Sequence, residues 1–295
     1  MTSTEDLDVL REIDAYLFDV FGTVLNWHST LTREIPRRSK GLLLEGGNTA
    51  HVLLKFQPDN IQNQTRRMRS ISQKNGEPGI TLMCKSITGR SWLLYHDLHI
   101  HSMKVAQGGE GTLHTDIMHR EILDNMLSAP RWSRLADIWG ESDREELTMI
   151  WHDLDVYEDT VPGLTELKSH VYILTLSNGN FKLLLDQAKK KGLPWDGIFS
   201  TEMFGTYKPN KHAYQSAAYH LSLPPHKIAM VAAHHTDLRA AASVGFKTVY
   251  VPRPTEDLHE VRNNMRSKKD GGEVDLVVKD FQELAKLVGE ARQSR

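Results

Sequence analysis

Asp19 is the first residue whose type and setting could do chemistry. It ends a short apolar run, Ala15-Tyr16-Leu17-Phe18, and Val20-Phe21-Gly22-Thr23 follows it. A carboxylate in that place is desolvated on one side and held by N–H groups of the next turn. It can act as a nucleophile toward an electrophilic carbon or phosphorus. Three more polar groups occupy similar places. Ser177-Asn178-Gly179 follows the apolar run 171–176, Tyr207-Lys208-Pro209 follows Gly205, and Asp237 lies beyond the run 227–232. Plainer readings exist for each. Ser177, Asn178 and Asp237 could cap helices, Lys208 could be a surface lysine before a proline, and Tyr214 could be core.

The elements that must carry these residues read as α/β at both ends of the chain. Short apolar runs bounded by turn residues suit strands buried on both faces. They occur at 15–20, 171–176, 227–232, 248–251 and 275–278. Between them lie helical patterns. Phe181, Leu184, Leu185 and Ala188 share one face, with Asn180 as N-cap and Gly192 as the stop. Alternating strands and helices imply a parallel sheet with right-handed crossovers. Ligands of such sheets sit beyond the carboxyl ends of the strands, where Asp19, Ser177 and Asp237 fall.

The middle of the chain reads differently. Segments 113–127 and 143–154 look helical, with Ile117, Ile122 and Leu123 on the apolar face of the first, and His114 and His119 elsewhere. The expected architecture is a Rossmann-like parallel sheet core, residues 1–27 and 160–295, with an inserted, mainly helical cap domain, residues 28–159. Residues from about 51 to 101 show no sustained period and carry turn chemistry, so they are expected to be irregular or poorly ordered. A second reading makes that stretch foreign to the fold.

Composition removes several function classes. There are 36 Lys and Arg against 38 Asp and Glu, so no positive excess exists to displace counterions from nucleic acid. The one cysteine, Cys84, cannot make an internal disulfide. No apolar run reaches the ~18 residues needed to cross a bilayer, and the polar N-terminus lacks a secretory pattern. A soluble, cytoplasmic protein is expected, with neither nucleic acid nor membrane as partner.

The order nucleophilic Asp, Ser/Asn, Lys, Asp resembles the haloacid dehalogenase superfamily. Two positions separate the chain from that superfamily's phosphatases. Phe21 stands where they carry a general acid, and Ala233 where they carry a magnesium ligand. The runs 17–27, 176–180, 207–210 with Tyr214, and 231–238 resemble the type II, L-2-haloacid dehalogenases. In the last run Ala232-Ala233-His234 marks a subgroup.

The resemblance implies a two-step hydrolysis without metal or cofactor. Asp19 displaces halide from a short 2-haloacid, forming an ester, and water then attacks the Asp19 carbonyl. Asp237 is implied as the base or as the residue positioning that water. Lys208 keeps Asp19 ionised and favours substrate anions. Ser177 is implied for the substrate carboxylate and Asn178 for the halide, while Phe21 walls the pocket. His234 lines the pocket, orders water or fills space. Thr23 and Tyr214 support Asp19 and Lys208, and a homodimer is expected.

One part of the resembling pattern is missing. The cap arginine that closes over the halide in that family has no recognisable context among Arg33, Arg37, Arg38, Arg66, Arg67, Arg69 and Arg90. A non-catalytic binding protein of the same fold is therefore the alternative, and a phosphatase the weaker one.

Overall fold

The computed structural model describes residues 9–43 and 101–293. The stretch expected to be irregular lies outside the described residues, apart from His101. So do Arg66, Arg67, Arg69, Arg90 and Cys84.

Six parallel strands form the central sheet. They are β1 (Ala15–Phe18), β4 (Tyr172–Ser177), β5 (Gly197–Ser200), β6 (Ile228–Ala232), β7 (Lys247–Tyr250) and β8 (Leu276–Val277). Their order is β5-β4-β1-β6-β7-β8. β1 lies in the middle and every residue of it is buried, which explains its unbroken apolar run. Phe18 pairs in register with Thr175 on one side and Val231 on the other. The next residues, Asp19, the β4 end and the β6 end, therefore emerge side by side.

Helices cover both faces, as the alternating pattern requires. On one face lie α5 (Thr160–Lys168), α6 (Phe181–Lys191) and α10 (Phe281–Gln293), packed around Phe18, Leu164, Leu184, Phe281 and Val288. α7 (Lys211–Leu221), α8 (His235–Ala242) and the short α9 (His259–Asn264) cover the other around Leu17, Leu176, Tyr214, Met230 and Leu238. Burying each large apolar side chain contributes ~1.5–3 kcal/mol. Gly163 permits the close crossing of α5 and α10: a Cβ there would fall 2.6 Å from the Phe281 backbone.

A mainly helical insertion leaves the sheet after β1. It begins with β2 (Leu25–Asn26) and α1 (Trp27–Arg38), continues through α2 (Thr115–Ser128), α3 (Ser133–Ile138) and α4 (Glu141–Met149), and ends in a 3-10 turn (Ile150–Asp153) and β3 (Asp155–Val156). β3 pairs antiparallel with β2, so entry and exit are tied together. Asn26 caps α1 by accepting from the Ser29 N–H at 3.0 Å. Among the described residues no helix is long and apolar enough to cross a membrane.

Two helix faces differ from the sequence reading. In α6 the buried residues are Leu183, Leu184 and Gln187, while Phe181 and Leu185 are exposed. The buried row is turned because the Gln187 amide donates to the Trp151 carbonyl of the insertion at 2.7 Å. In α2, Ile117 is 50% exposed whereas His119 is buried, its ring stacked 4.2 Å from that of Trp151. A neutral imidazole behaves as a flat aromatic surface there, and burial lowers its pKa to about 3.

A buried histidine joins the insertion to the core. His152 Nδ1 lies 2.9 Å from Asp186 of α6, and its Nε2 lies 3.0 Å from Asp116 of α2. Asn180 is the residue before α6, yet its amide donates to Asp116 at 3.2 Å rather than capping its own helix. Burial opposes charge on His152, but the two carboxylates outweigh it and raise its pKa above 6.5. Both carboxyls are lowered from 3.8: at Asp116 burial opposes the shift and the His152 contact outweighs it, and at Asp186 the Lys182 hydrogen bond contributes most and His152 adds to it. A raised histidine gives stability that is complete below its unfolded pKa and lost as pH rises through the folded one. The two lowered carboxyls give stability that is lost as pH falls through their folded values. His152→Gln should therefore cost most stability between about pH 4 and about pH 6.5, and progressively less as pH rises above that. Urea unfolding at several pH values tests this; a difference independent of pH would contradict it.

Candidate functional site

The turn after β1 builds the site. Gly22 adopts φ +79°, a conformation open to glycine at little cost, and turns the chain back so that the Leu25 N–H reaches the Val20 carbonyl at 3.0 Å. This places Thr23 beneath Asp19. The Thr23 hydroxyl donates to Asp19 Oδ2 at 2.7 Å and accepts from the Ala233 N–H at 2.9 Å. One hydroxyl thus links the ends of β1 and β6.

Lys208 comes from the loop between β5 and α7. Its ammonium donates to Asp19 Oδ1 at 2.9 Å and to Asp237 Oδ2 at 2.5 Å. All three side chains are buried, so Lys208 is no surface lysine. Asp237 lies in the first turn of α8, and its other oxygen accepts from the Tyr214 hydroxyl at 2.5 Å. Tyr214 is both core and polar partner: burial and the Asp237 charge push its pKa well above 10, so it stays a donor.

The two carboxyls are driven apart. Burial would raise Asp19, but the Lys208 charge and hydrogen bonds from His234 and Thr23 hold it well below the usual carboxylate range. Asp237 is raised, first by burial and further by Asp19, although Lys208 opposes this. Lys208 is raised too: burial works against its charge, and the two carboxylates overcome that. Asp19 is consequently the carboxylate of the pair that is kept ionised.

Asn178 orients the lysine. Its side-chain oxygen accepts from the Lys208 N–H at 2.7 Å and from Thr201 at 3.1 Å, and its nitrogen donates to the Lys208 carbonyl at 3.2 Å. The amide is engaged in holding the loop that carries the ammonium. Ser177 is fully buried, its hydroxyl accepting from the Gly179 N–H at 3.2 Å. Phe21 packs edge-on against Trp151 at 5.9 Å, and Gly179 leaves the space its ring fills. Thr115, the first residue of α2, donates to the Asn178 carbonyl at 2.9 Å, so the insertion is fastened to this loop.

Of the nine residues singled out in the sequence, seven fall at the carboxyl ends of the central strands or in the loops beside them, while Asp237 lies in the first turn of α8 and Tyr214 in the first turn of α7. Thr23, Lys208 and His234 bond Asp19 directly, while Asp237 and Tyr214 join through Lys208. His234 Nδ1 lies 2.9 Å from Asp19 Oδ2. Its Nε2 lies 3.0 Å from Glu256, which the sequence reading missed. Glu256 lies six residues beyond β7, in the charged run Arg253-Pro254-Thr255-Glu256-Asp257. A charged run past a parallel strand's carboxyl end was the available signal. Arg253 was also missed. It is buried, donates to the Thr23 carbonyl at 3.0 Å and forms two bonds with Asp159. Arg33, Arg37 and Arg38 are tied to Glu34, and Arg33 also to Asp155. Among the described residues no group of three or more His, Cys, Asp and Glu is arranged to hold a metal ion.

The arrangement can hold one carboxylate ionised, in a dry setting, beside a fixed cation and a ring nitrogen. Lys208→Met would leave Asp19 and Asp237 buried without their shared cation. Stability should fall by about 3–5 kcal/mol at neutral pH, and by less as the solution is made more acidic and one of the pair takes a proton. Denaturant unfolding measures this; a loss under about 1 kcal/mol would contradict it.

Comparison with known proteins bears on family and fold. The profile of the haloacid dehalogenase-like hydrolases matches residues 13–245. No curated protein matches the chain in sequence. Among solved structures, an L-2-haloacid dehalogenase is similar at 27% identity and TM-score 0.66, over 93% of this chain and 98% of that one. A defluorinating L-2-haloacid dehalogenase is similar at 28% identity and TM-score 0.67, over 94% and 95%. The L-2-haloacid dehalogenase from Xanthobacter autotrophicus, solved with chloropropionic acid covalently bound, shares the fold at 18% identity and TM-score 0.61, over 94% and 98%.

Proposed function

Because the chain belongs to the haloacid dehalogenase-like hydrolases and resembles their L-2-haloacid dehalogenases, we propose that it hydrolyses short L-2-haloacids to 2-hydroxyacids through an ester on Asp19. The observation that carries this reading is the ionised Asp19, held by Lys208, Thr23 and His234 with Phe21 two residues on. A phosphatase would need a proton donor at Phe21 and a metal ligand at Ala233, and neither side chain can serve.

In the first step an Asp19 oxygen attacks the carbon bearing halogen from the side opposite the leaving group. A carbon–oxygen bond forms, the halide departs with the bonding pair, and the centre inverts. Lys208 keeps the carboxylate ionised and attracts the substrate anion. Asn178 keeps Lys208 in place. In the second step water adds to the Asp19 carbonyl carbon and the hydroxyacid leaves. Asp237 and His234 are the two residues near enough to Asp19 or its partner lysine to manage the proton of that water.

With L-2-chloropropionate, the protein should release chloride at a rate unaffected by a metal chelator. Asp19→Asn should lower it at least about 10³-fold. The D enantiomer should be a poor substrate. Chloride release that needs magnesium, or that survives Asp19→Asn, would overturn the reading. A folded wild type releasing none would favour a non-catalytic binding protein.

A further inference from the structure

On the reading that an ester forms on Asp19, we propose that His234 is the base that activates water for its hydrolysis, and that Glu256 is the positioning residue that sets the ring for that task. The arrangement is linear: Glu256 Oε2, His234 Nε2 at 3.0 Å, then Nδ1 and Asp19 Oδ2 at 2.9 Å. It has the order of orienting acid, base and reacting group that activates nucleophiles in many hydrolases.

Glu256 is unusually placed for a surface-loop residue. Its side chain is 1% exposed. It accepts from the Trp27 indole at 3.3 Å and from Thr255 at 3.0 Å as well as meeting His234. It presses against Gly22, where any Cβ would fall 2.2 Å from Glu256 Oε2. The turn that presents Asp19 and the seat of Glu256 are thus one fitted piece. A carboxylate only accepts hydrogen bonds, so Glu256 keeps a proton on Nε2 and leaves Nδ1 to face the reacting carboxyl.

The rival base is less free to act. One oxygen of Asp237 takes the Lys208 ammonium and the other takes the Tyr214 hydroxyl. Lys208, not Asp237, touches Asp19. His234 touches it directly and retains some exposure, 16% of its side chain, from which water can reach it.

The protons balance as follows. In the resting protein both ring nitrogens face carboxylates, so the ring carries two protons. Displacement turns Asp19 into a neutral ester; halide leaves, and the Nδ1 proton is lost to solvent. The Nδ1 lone pair then takes a proton from water as its oxygen bonds to the Asp19 carbonyl carbon. Collapse breaks the bond to the hydroxyacid oxygen, which receives that proton from Nδ1. The regenerated Asp19 carboxylic acid returns its proton to Nδ1. One substrate and one water yield hydroxyacid, halide and one proton. Other groups face this pair: Tyr157 and Tyr250 sense the charge of His234, and His28 and Tyr157 that of Glu256.

The test compares wild type, Glu256→Gln, His234→Ala and Asp237→Asn with L-2-chloropropionate, following chloride and intact protein mass after rapid quenching. Glu256→Gln and His234→Ala should release one equivalent of chloride per site and then slow about 10²-fold or more. The protein should gain the mass of substrate less hydrogen chloride, located on the Asp19 peptide. The pH at which Glu256→Gln loses ester hydrolysis should also move downward, because the ring has lost an anionic partner. A merely structural Glu256 would slow both steps together and leave that pH unmoved. Steady turnover within about threefold of wild type in Glu256→Gln, or ester accumulating in Asp237→Asn but in neither of the other two, would overturn the proposal. Should Glu256→Gln fail to fold, His234→Ala decides alone. Wild type that releases no chloride and carries no ester would instead bring down the dehalogenase reading itself.

Discussion

A buried ammonium shared by two buried carboxylates is the constraint on which the rest depends. Lys208 between Asp19 and Asp237 makes it affordable to keep charge in a dry site. Burial raises Asp19, and the cation is the largest of the influences that oppose it. The rest of the site follows from holding that ammonium still. Asn178 grips the Lys208 backbone on both sides, Thr201 steadies Asn178, and Thr115 of the insertion fastens the Asn178 carbonyl. Tyr214 finishes the unsatisfied oxygen of Asp237.

The same logic gives the sheet its place. Asp19 can meet Ala233 and His234 because β1 and β6 are paired in register, with Phe18 opposite Val231. The turn at Gly22 supplies Thr23 below the carboxylate and leaves room for Glu256 above it. Arg253, gripping Asp159 and the Thr23 carbonyl, joins that turn to the start of α5. The insertion contributes an aromatic wall, with Trp27 stacked on Trp151 at 6.4 Å and Phe21 edge-on to Trp151.

Much of this was legible in the sequence, for a physical reason. A strand buried on both faces must be apolar along its length, so the runs ending at Phe18, Leu176 and Ala232 announce the sheet, and the polar residues after them announce the site. Helix faces were harder to read. Phe181 and Leu185 look like a core stripe, yet they are exposed because Gln187 turns toward the insertion. His119 looks like a polar-face residue and is buried under Trp151. Glu256 was missed because nothing in a lone glutamate of a charged loop reveals that its neighbour in space is an imidazole 22 positions earlier.

The central claim is that a carbon–oxygen bond forms at Asp19 and that water breaks it from the carboxyl side. One turnover of excess protein with L-2-chloropropionate in water enriched in heavy oxygen tests this most directly, with mass spectrometry of the Asp19 peptide and of the hydroxyacid. The account predicts one heavy oxygen in the Asp19 side chain and an unlabelled product. Heavy oxygen in the product with none in Asp19 would mean that water attacks the substrate itself, and would contradict it.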